Sequence, residues 1–205
     1  MRLLLWCRVG LIVWSCATLA RGYAATPAYD ESTASDLSND GLSPTFIAVA
    51  LGSNEVLGTT GFIGTGIDRD YFRITVPAGL RLAHIDLLPG TSVNVDFSFL
   101  GVEAGTQVTL GTDPQSADGL LGWIHYTRGQ VGLDLLPKMG IPNAGSSGFV
   151  PPLGAGDYAF WVQDVDGGTA RYGFDLVLTA PEPDVYAFML AALAIAIAAS
   201  RRRTK

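Results

Sequence analysis

Apolar side chains recur at every second position in short runs between Pro44 and Ala180, and glycine or proline lies at or near the end of each run. Phe72, Ile74 and Val76 alternate with Tyr71, Arg73 and Thr75 before Pro77-Ala78-Gly79. Ala83, Ile85 and Leu87 oppose His84 and Asp86; Val93, Val95, Phe97 and Phe99 oppose Asn94, Asp96 and Ser98. Tyr158, Phe160 and Val162 repeat the pattern, as do Tyr172, Phe174, Leu176 and Leu178. A period of two puts successive side chains on opposite faces of a strand, so these runs predict an all-β domain over residues 44–180, an antiparallel β-sandwich with one packed and one wetted face per sheet. Gly119 to Leu136 lacks the period and reads as a helical turn or an irregular crossover.

The two ends follow different rules. Residues 1–24 carry Arg2 and Arg8 around a short apolar segment, then Val9 to Leu19, then small residues at Gly22 and Ala24. That is the order of a secretory signal helix: a charged start held inside, an apolar middle, and side chains small enough for a peptidase cleft. Cleavage is expected after Ala24, with Ala20 and Ala25 as alternatives. An uncleaved anchor would want about twenty apolar residues. Cys7 and Cys16 both fall in this segment, so the mature chain would have neither a disulfide nor a thiol nucleophile. Trp14 is too bulky for a lipoprotein signal ahead of Cys16.

At the other end, Pro181-Glu182-Pro183 precedes an apolar run from Val185 to Ser200 and then Arg201, Arg202, Arg203 and Lys205. As a helix the run would span about 24 Å, a little less than the roughly 30 Å hydrocarbon core. The basic residues after it would stay on the cytoplasmic side and leave the preceding domain outside. The two prolines exclude helix and sheet, which keeps the motif extended and accessible. Residues 181–205 resemble the PEP-CTERM sorting signal of Gram-negative bacteria, in which Pro181, Glu182 and Pro183 match the motif and Arg201 to Arg203 the basic stop. The resemblance implies an exported chain, carried by the secretion machinery, trimmed by signal peptidase, and recognised at the inner membrane by the transpeptidase exosortase. Its transmembrane helix would anchor the chain there, transiently or stably, before it reaches the cell surface or an exopolysaccharide matrix. A tail of this type gives an address and not an activity.

Between the ends the chain is acidic, with seventeen Asp and Glu against six Lys and Arg from Ala25 to Ala180. No basic stripe is available to neutralise phosphates, which excludes a nucleic-acid binder. Residues 25–43 are polar and poor in apolar side chains and read as a flexible leader, with the fold starting near Pro44. Asp68 to Gly79, and later Leu153 to Val162, resemble the bacterial pre-peptidase C-terminal domain, which implies a jelly-roll-like arrangement of the sandwich. Gly101 to Val150 departs from that family as a longer insertion.

Catalysis needs convergent groups, and none is expected here. His84 falls on the polar side of its strand, and His125 lies among Trp123, Ile124 and Tyr126. No Gly-x-Ser-x-Gly, His-Glu-x-x-His or cysteine–histidine pattern occurs. Gly145-Ser146-Ser147-Gly148 follows Pro142-Asn143-Ala144 and reads as a loop. No cofactor is expected, calcium being the one ligand the carboxylates suggest. Asp164 and Asp166 begin an acidic loop whose remaining ligand positions fail, so a tight turn between two strands, with glycine supplying positive φ, explains them better. Asp68 and Asp70 form the second pair. Trp123, Tyr126, Tyr158 and Trp161 offer faces on which sugar rings stack, although aromatics on strands usually pack inside; Trp161 is the best placed of them to stand exposed.

Overall fold

The computed structural model describes residues 26–64, 66–109 and 116–181, so the signal segment, Glu182, Pro183, the apolar run and the basic end lie outside the described residues. Nine strands follow one another: β1 (Tyr29–Asp30), β2 (Thr45–Phe46), β3 (Glu55–Ile63), β4 (Gly66–Val76), β5 (Arg81–Leu87), β6 (Ser98–Ala104), β7 (Gly122–Tyr126), β8 (Gly156–Gln163) and β9 (Gly168–Thr179). The stretch without a clear period, Gly119 to Leu136, holds the strand β7 as well as a 3-10 turn at Arg128–Gln130, and a single helical turn, α1 (Leu136–Met139), begins only at its last residue. No helix among the described residues is long and apolar enough to cross a membrane.

The strands form a mostly antiparallel sheet in the order β5-β9-β3-β4-β8-β6-β7, with the short β1 and β2 added in parallel to β3 and β4. β4 turns the corner. Its first residues, Gly66 to Asp68, pair with β3, whereas Arg69 to Val76 pair with β8. The sheet curls there into a half-barrel, and the inward residues of both limbs form one core. Phe72, Ile74 and Val76 of β4 meet Phe160 and Val162 of β8, Leu100 and Val102 of β6, and Phe174, Leu176 and Leu178 of β9. Phe72 and Phe160 are cross-strand partners with rings stacked 4.9 Å apart, a pairing worth about 0.5–1.5 kcal/mol beyond its buried area.

Three expectations change. The outer face of β8 is not wet: Trp161 is 1% exposed and packs with Phe99, Val108 and Leu120 in a second cluster. The unbroken run Tyr158 to Val162 is therefore that of a strand covered on both faces. Residues 93–97 do not form a strand; Val95 is 67% exposed, and β6 starts only at Ser98. The backbone there is held by Asp164, which accepts from Asn94 N, Asn94 Nδ2 and Ser98 Oγ.

The polar stretch before Pro44 is the third. Tyr29 and Asp30 pair with Val56 and Leu57 of β3, and Leu37 is buried in the core. Asp30 Oδ1 accepts from Ser32 N at 2.8 Å and its carbonyl accepts from Ala34 N at 2.8 Å, which reverses the chain immediately after β1. Tyr71 N then donates to Ser38 O, and Arg69 N to Asn39 Oδ1, fastening the segment along β4. One buried leucine and a row of backbone hydrogen bonds outweigh a composition that by itself favours disorder.

Candidate functional site

Asp70 stands at the corner of the sheet. It lies two residues before Phe72 on the inward face of β4, in phase with Phe72, Ile74 and Val76, and it is 0% exposed. Buried carboxylates are normally paired or multiply hydrogen-bonded. Asn54, Thr60, Thr91, Ser98 and Asp164, the other buried polar residues among those described, all have side-chain hydrogen bonds. Neither oxygen of Asp70 has a partner.

Its neighbours deepen the problem. Glu31 and Asp36, from the segment after β1, each bring a carboxylate oxygen to Asp70 so that the three atoms lie within 4.8 Å of one another. Glu31 is oriented by the backbone: Thr59 N donates to Oε2 at 2.7 Å and Leu37 N to Oε1 at 3.1 Å. Burial, and then the negative charges of Glu31, Asp68 and Asp36, push the Asp70 carboxyl up to about 8. Burial also raises Glu31 above the usual carboxylate range, against the two backbone donors that pull it down. Asp68, half-buried, is raised by burial and by Asp36.

Tyr172 of β9 closes the site from the other side. It sits opposite Gly58 of β3 and is 3% exposed, and its hydroxyl lies beside Asp70, near enough to favour the ionised carboxylate but without the geometry of a formed hydrogen bond. Burial and the charges of Asp70 and Glu31 raise that hydroxyl well above the ordinary tyrosine range. Glycine at position 58 is what admits the arrangement: a Cβ there would run into the Tyr172 hydroxyl and come within 2.9 Å of Glu31 Cδ. Outward of these groups a cleft of about 510 Å³ opens, with Glu31, Asp36, Thr59 and Tyr172 among its lining and Arg171 at its wall. Arg171 makes no salt bridge with these carboxylates.

Comparison of the chain with protein-family models, curated proteins and solved structures finds no match.

The geometry sorts the residues singled out in the sequence. Asp68 and Asp70 are together, and Glu31 and Asp36, hidden in the supposed leader, join them. Asp164 and Asp166 are apart from that site. Asp164 is buried, and its oxygens serve Asn94, Ser98 and the Asp166 amide, so the loop is a turn held by its own hydrogen bonds. Of the aromatics, Tyr126, Tyr158 and Trp161 pack in the core, Trp161 included although it was the best placed of them to stand exposed, and Trp123 is half-buried with Nε1 donating to Ala144 O. His125 stacks on Phe97 at 4.1 Å, and burial lowers its basicity. His84 is on the surface, 2.9 Å from Asp134. Ser146 closes a turn with Asn143. Pro181 is exposed, two residues beyond the end of β9.

The sequence did hold one signal for the missed site. A carboxylate in phase with three core residues violates the pattern that otherwise predicts the strand, and such violations mark strained or functional positions.

Proposed function

We propose that this chain is an exported, non-catalytic surface or matrix protein, addressed by its C-terminal tail and processed there by exosortase. The observation that carries the reading is an order of parts: Pro181-Glu182-Pro183, the apolar run Val185 to Ser200, and Arg201 to Lys205 follow β9 with almost no spacer. β9 is paired on both sides, with β5 and β3, so a cut beyond Thr179 leaves the sheet whole. The mature product is then the β domain alone, finely a jelly-roll-like sandwich of the pre-peptidase C-terminal type. The pairing of Arg69–Val76 with Gly156–Gln163 supports that finer reading, because it sets side by side the two segments in which the resemblance resides. Its partners are signal peptidase and the secretion machinery on the way out, exosortase in the inner membrane, and exopolysaccharide at the destination.

The test is the intact mass and compartment of the full chain expressed in an exosortase-positive host and in the matching exosortase deletion. Loss of the residues beyond the motif only in the positive host supports the reading. An uncut, membrane-retained chain in both leaves a simple tail-anchored domain and overturns it.

A further inference from the structure

We propose that Phe97, His125 and Trp123, with Gln163 and Arg69 beside them, form a platform for the sugar rings of a neutral polysaccharide at the end of the sheet opposite the tail. The choice of occupant rests on the surface or matrix address proposed above; the platform itself follows from strand register. β7, β6, β8 and β4 lie side by side, and two rows of side chains cross the outer face of that limb. One row is His125, Phe99, Gln163 and Arg69, and the next is Trp123, Gly101, Trp161 and Tyr71. Val108 and Leu120 pack with Trp161 and close the middle of the second row. The first row stays open: His125 is exposed, Gln163 and Arg69 are half-buried, and Phe97, two residues before Phe99 on the same face, is 44% exposed.

The rings are set in advance. His125 stacks on Phe97 at 4.1 Å and lies 5.1 Å from Trp123, whose indole is fixed by Phe99 at 5.8 Å and by Nε1 donating to Ala144 O at 2.9 Å. Aromatic side chains held this way lose little conformational entropy on binding. A sugar ring has apolar C–H faces and a rim of hydroxyls, and the platform meets both. Ring faces serve the first. For the second, Arg69 Nε donates to Gln163 Oε1 at 3.0 Å, which aligns the pair and leaves the other guanidinium donors and the Gln163 amide N–H groups without a partner among the described residues. Burial lowers the basicity of His125, so its neutral ring offers one donor and one acceptor. Four strands about 4.8 Å apart make the row about 14 Å wide, so it suits a chain of sugars rather than a single one.

Position and charge select the occupant. β9 starts at this end, where Gly168 O accepts from Asn94 Nδ2, and its twelve residues run to Thr179 at the other, about 40 Å away at roughly 3.4 Å each. The platform is therefore presented away from a membrane that holds the tail. Asp68, Asp96 and Asp166 surround it, and their charge repels anionic lipid headgroups and uronate-bearing polymers alike, whereas a neutral glycan meets no such barrier.

The experiment is affinity electrophoresis of the exported chain with its tail intact, in a detergent without a sugar headgroup, through gels holding a neutral glycan (hydroxyethyl cellulose, galactomannan or dextran), the anionic glycan alginate, or no polymer. Wild type should be retarded by at least one neutral glycan and not by alginate. Phe97→Ala and Trp123→Ala should each weaken that retardation about ten-fold, the worth of one aromatic stack. His125→Phe keeps the stack on Phe97 and removes the ring nitrogens, so it should weaken retardation too, whereas an apolar partner would be held as tightly or more so. Leu51→Ala, at an exposed apolar position beside the bridge from Gly52 to Leu178, should change nothing. Phe97 and His125 are exposed, and urea midpoints equal to wild type show that their variants fold. No retardation by any of the neutral glycans overturns the proposal, as does an equal loss from Leu51→Ala, or binding of anionic lipid vesicles that the ring variants abolish while glycan retardation persists. Tail processing is read separately by mass, so failure of either proposal is distinguishable from failure of the other.

Discussion

Removing the ionisable carboxyl at Asp70 should make the protein more stable in alkali. The carboxyl is raised from 3.8 to about 8 in the fold, first by burial and then by Glu31, Asp68 and Asp36, with the Tyr172 hydroxyl nearby as the one opposing influence and Arg171 at the cleft wall without a salt bridge to it. Between these two values the unfolded chain has lost the proton and the folded chain keeps it. Folding therefore takes up a proton, and stability falls as pH rises from about 4 to about 8, levelling off above. Each unit is worth about 1.4 kcal/mol, so the loss between pH 5 and pH 8 is about 4 kcal/mol. Asp70→Asn keeps the shape and removes the ionisation, but its amide inherits the lack of partners, at about 1–3 kcal/mol. The expected outcome is a variant about 1 kcal/mol less stable than wild type at pH 5 and about 3 kcal/mol more stable at pH 8.5. Urea unfolding in EDTA, followed by the fluorescence of the buried Trp161, measures both. A variant less stable than wild type at pH 8.5, or a wild type equally stable at the two pH values, would refute the reasoning.

Other positions give sharper structural checks. Gly58→Ala should displace Tyr172 and Glu31 together and cost about 1–3 kcal/mol by overpacking, read from urea unfolding. Trp161→Ala should cost about 3–5 kcal/mol in urea, because its ring is buried against Phe99 and stacks on Tyr71; a cost below about 1 kcal/mol would place that ring in solvent. Asp164→Asn should destabilise the chain by about 1–3 kcal/mol in urea through the hydrogen bonds of Asn94 and Ser98, and an unchanged midpoint would show that the loop is not held by this carboxylate.

Strands were legible where alternation was clean. β4, β5, β8 and β9 follow directly from it, since burial on one face needs only a period of two. β3 escaped notice because Gly58, Thr59, Thr60 and Gly61 interrupt its apolar residues, and it is those small residues that make room for Tyr172 and for the close crossing of Gly168. Val93 to Phe97 alternates yet does not pair, because Asp164 takes up backbone and side-chain donors that a strand would have used. Half of the candidate site was visible as Asp68 and Asp70. The other half lay in a polar stretch whose ordering depends on a single buried leucine, on pairing with β3 and on hydrogen bonds to β4, none of which leaves a periodic trace. The tail beyond Pro181 lies outside the described residues, so its reading rests on composition and sequence order alone.

The segment after β1 should open locally, at a rate set by charge at the corner of the sheet. Leu37 N and Thr59 N donate to Glu31, and Tyr71 N donates to Ser38 O, so these three amides report whether the segment is docked. Four carboxylates face one another there, so the segment should open well below the free energy of global unfolding. Asp36→Asn removes one of the charges that oppose Asp70 and Glu31 and should slow hydrogen exchange at those amides. The Gly52 and Leu178 amides, which bond to each other's carbonyl groups where the end of β9 is bridged to Gly52, make no contact with the cluster and should exchange at the same rate in wild type and variant. Slower exchange confined to residues 31–46 and the β3–β4 corner identifies a local junction; slower exchange spread evenly over every strand would mean that the charge acts on the whole fold.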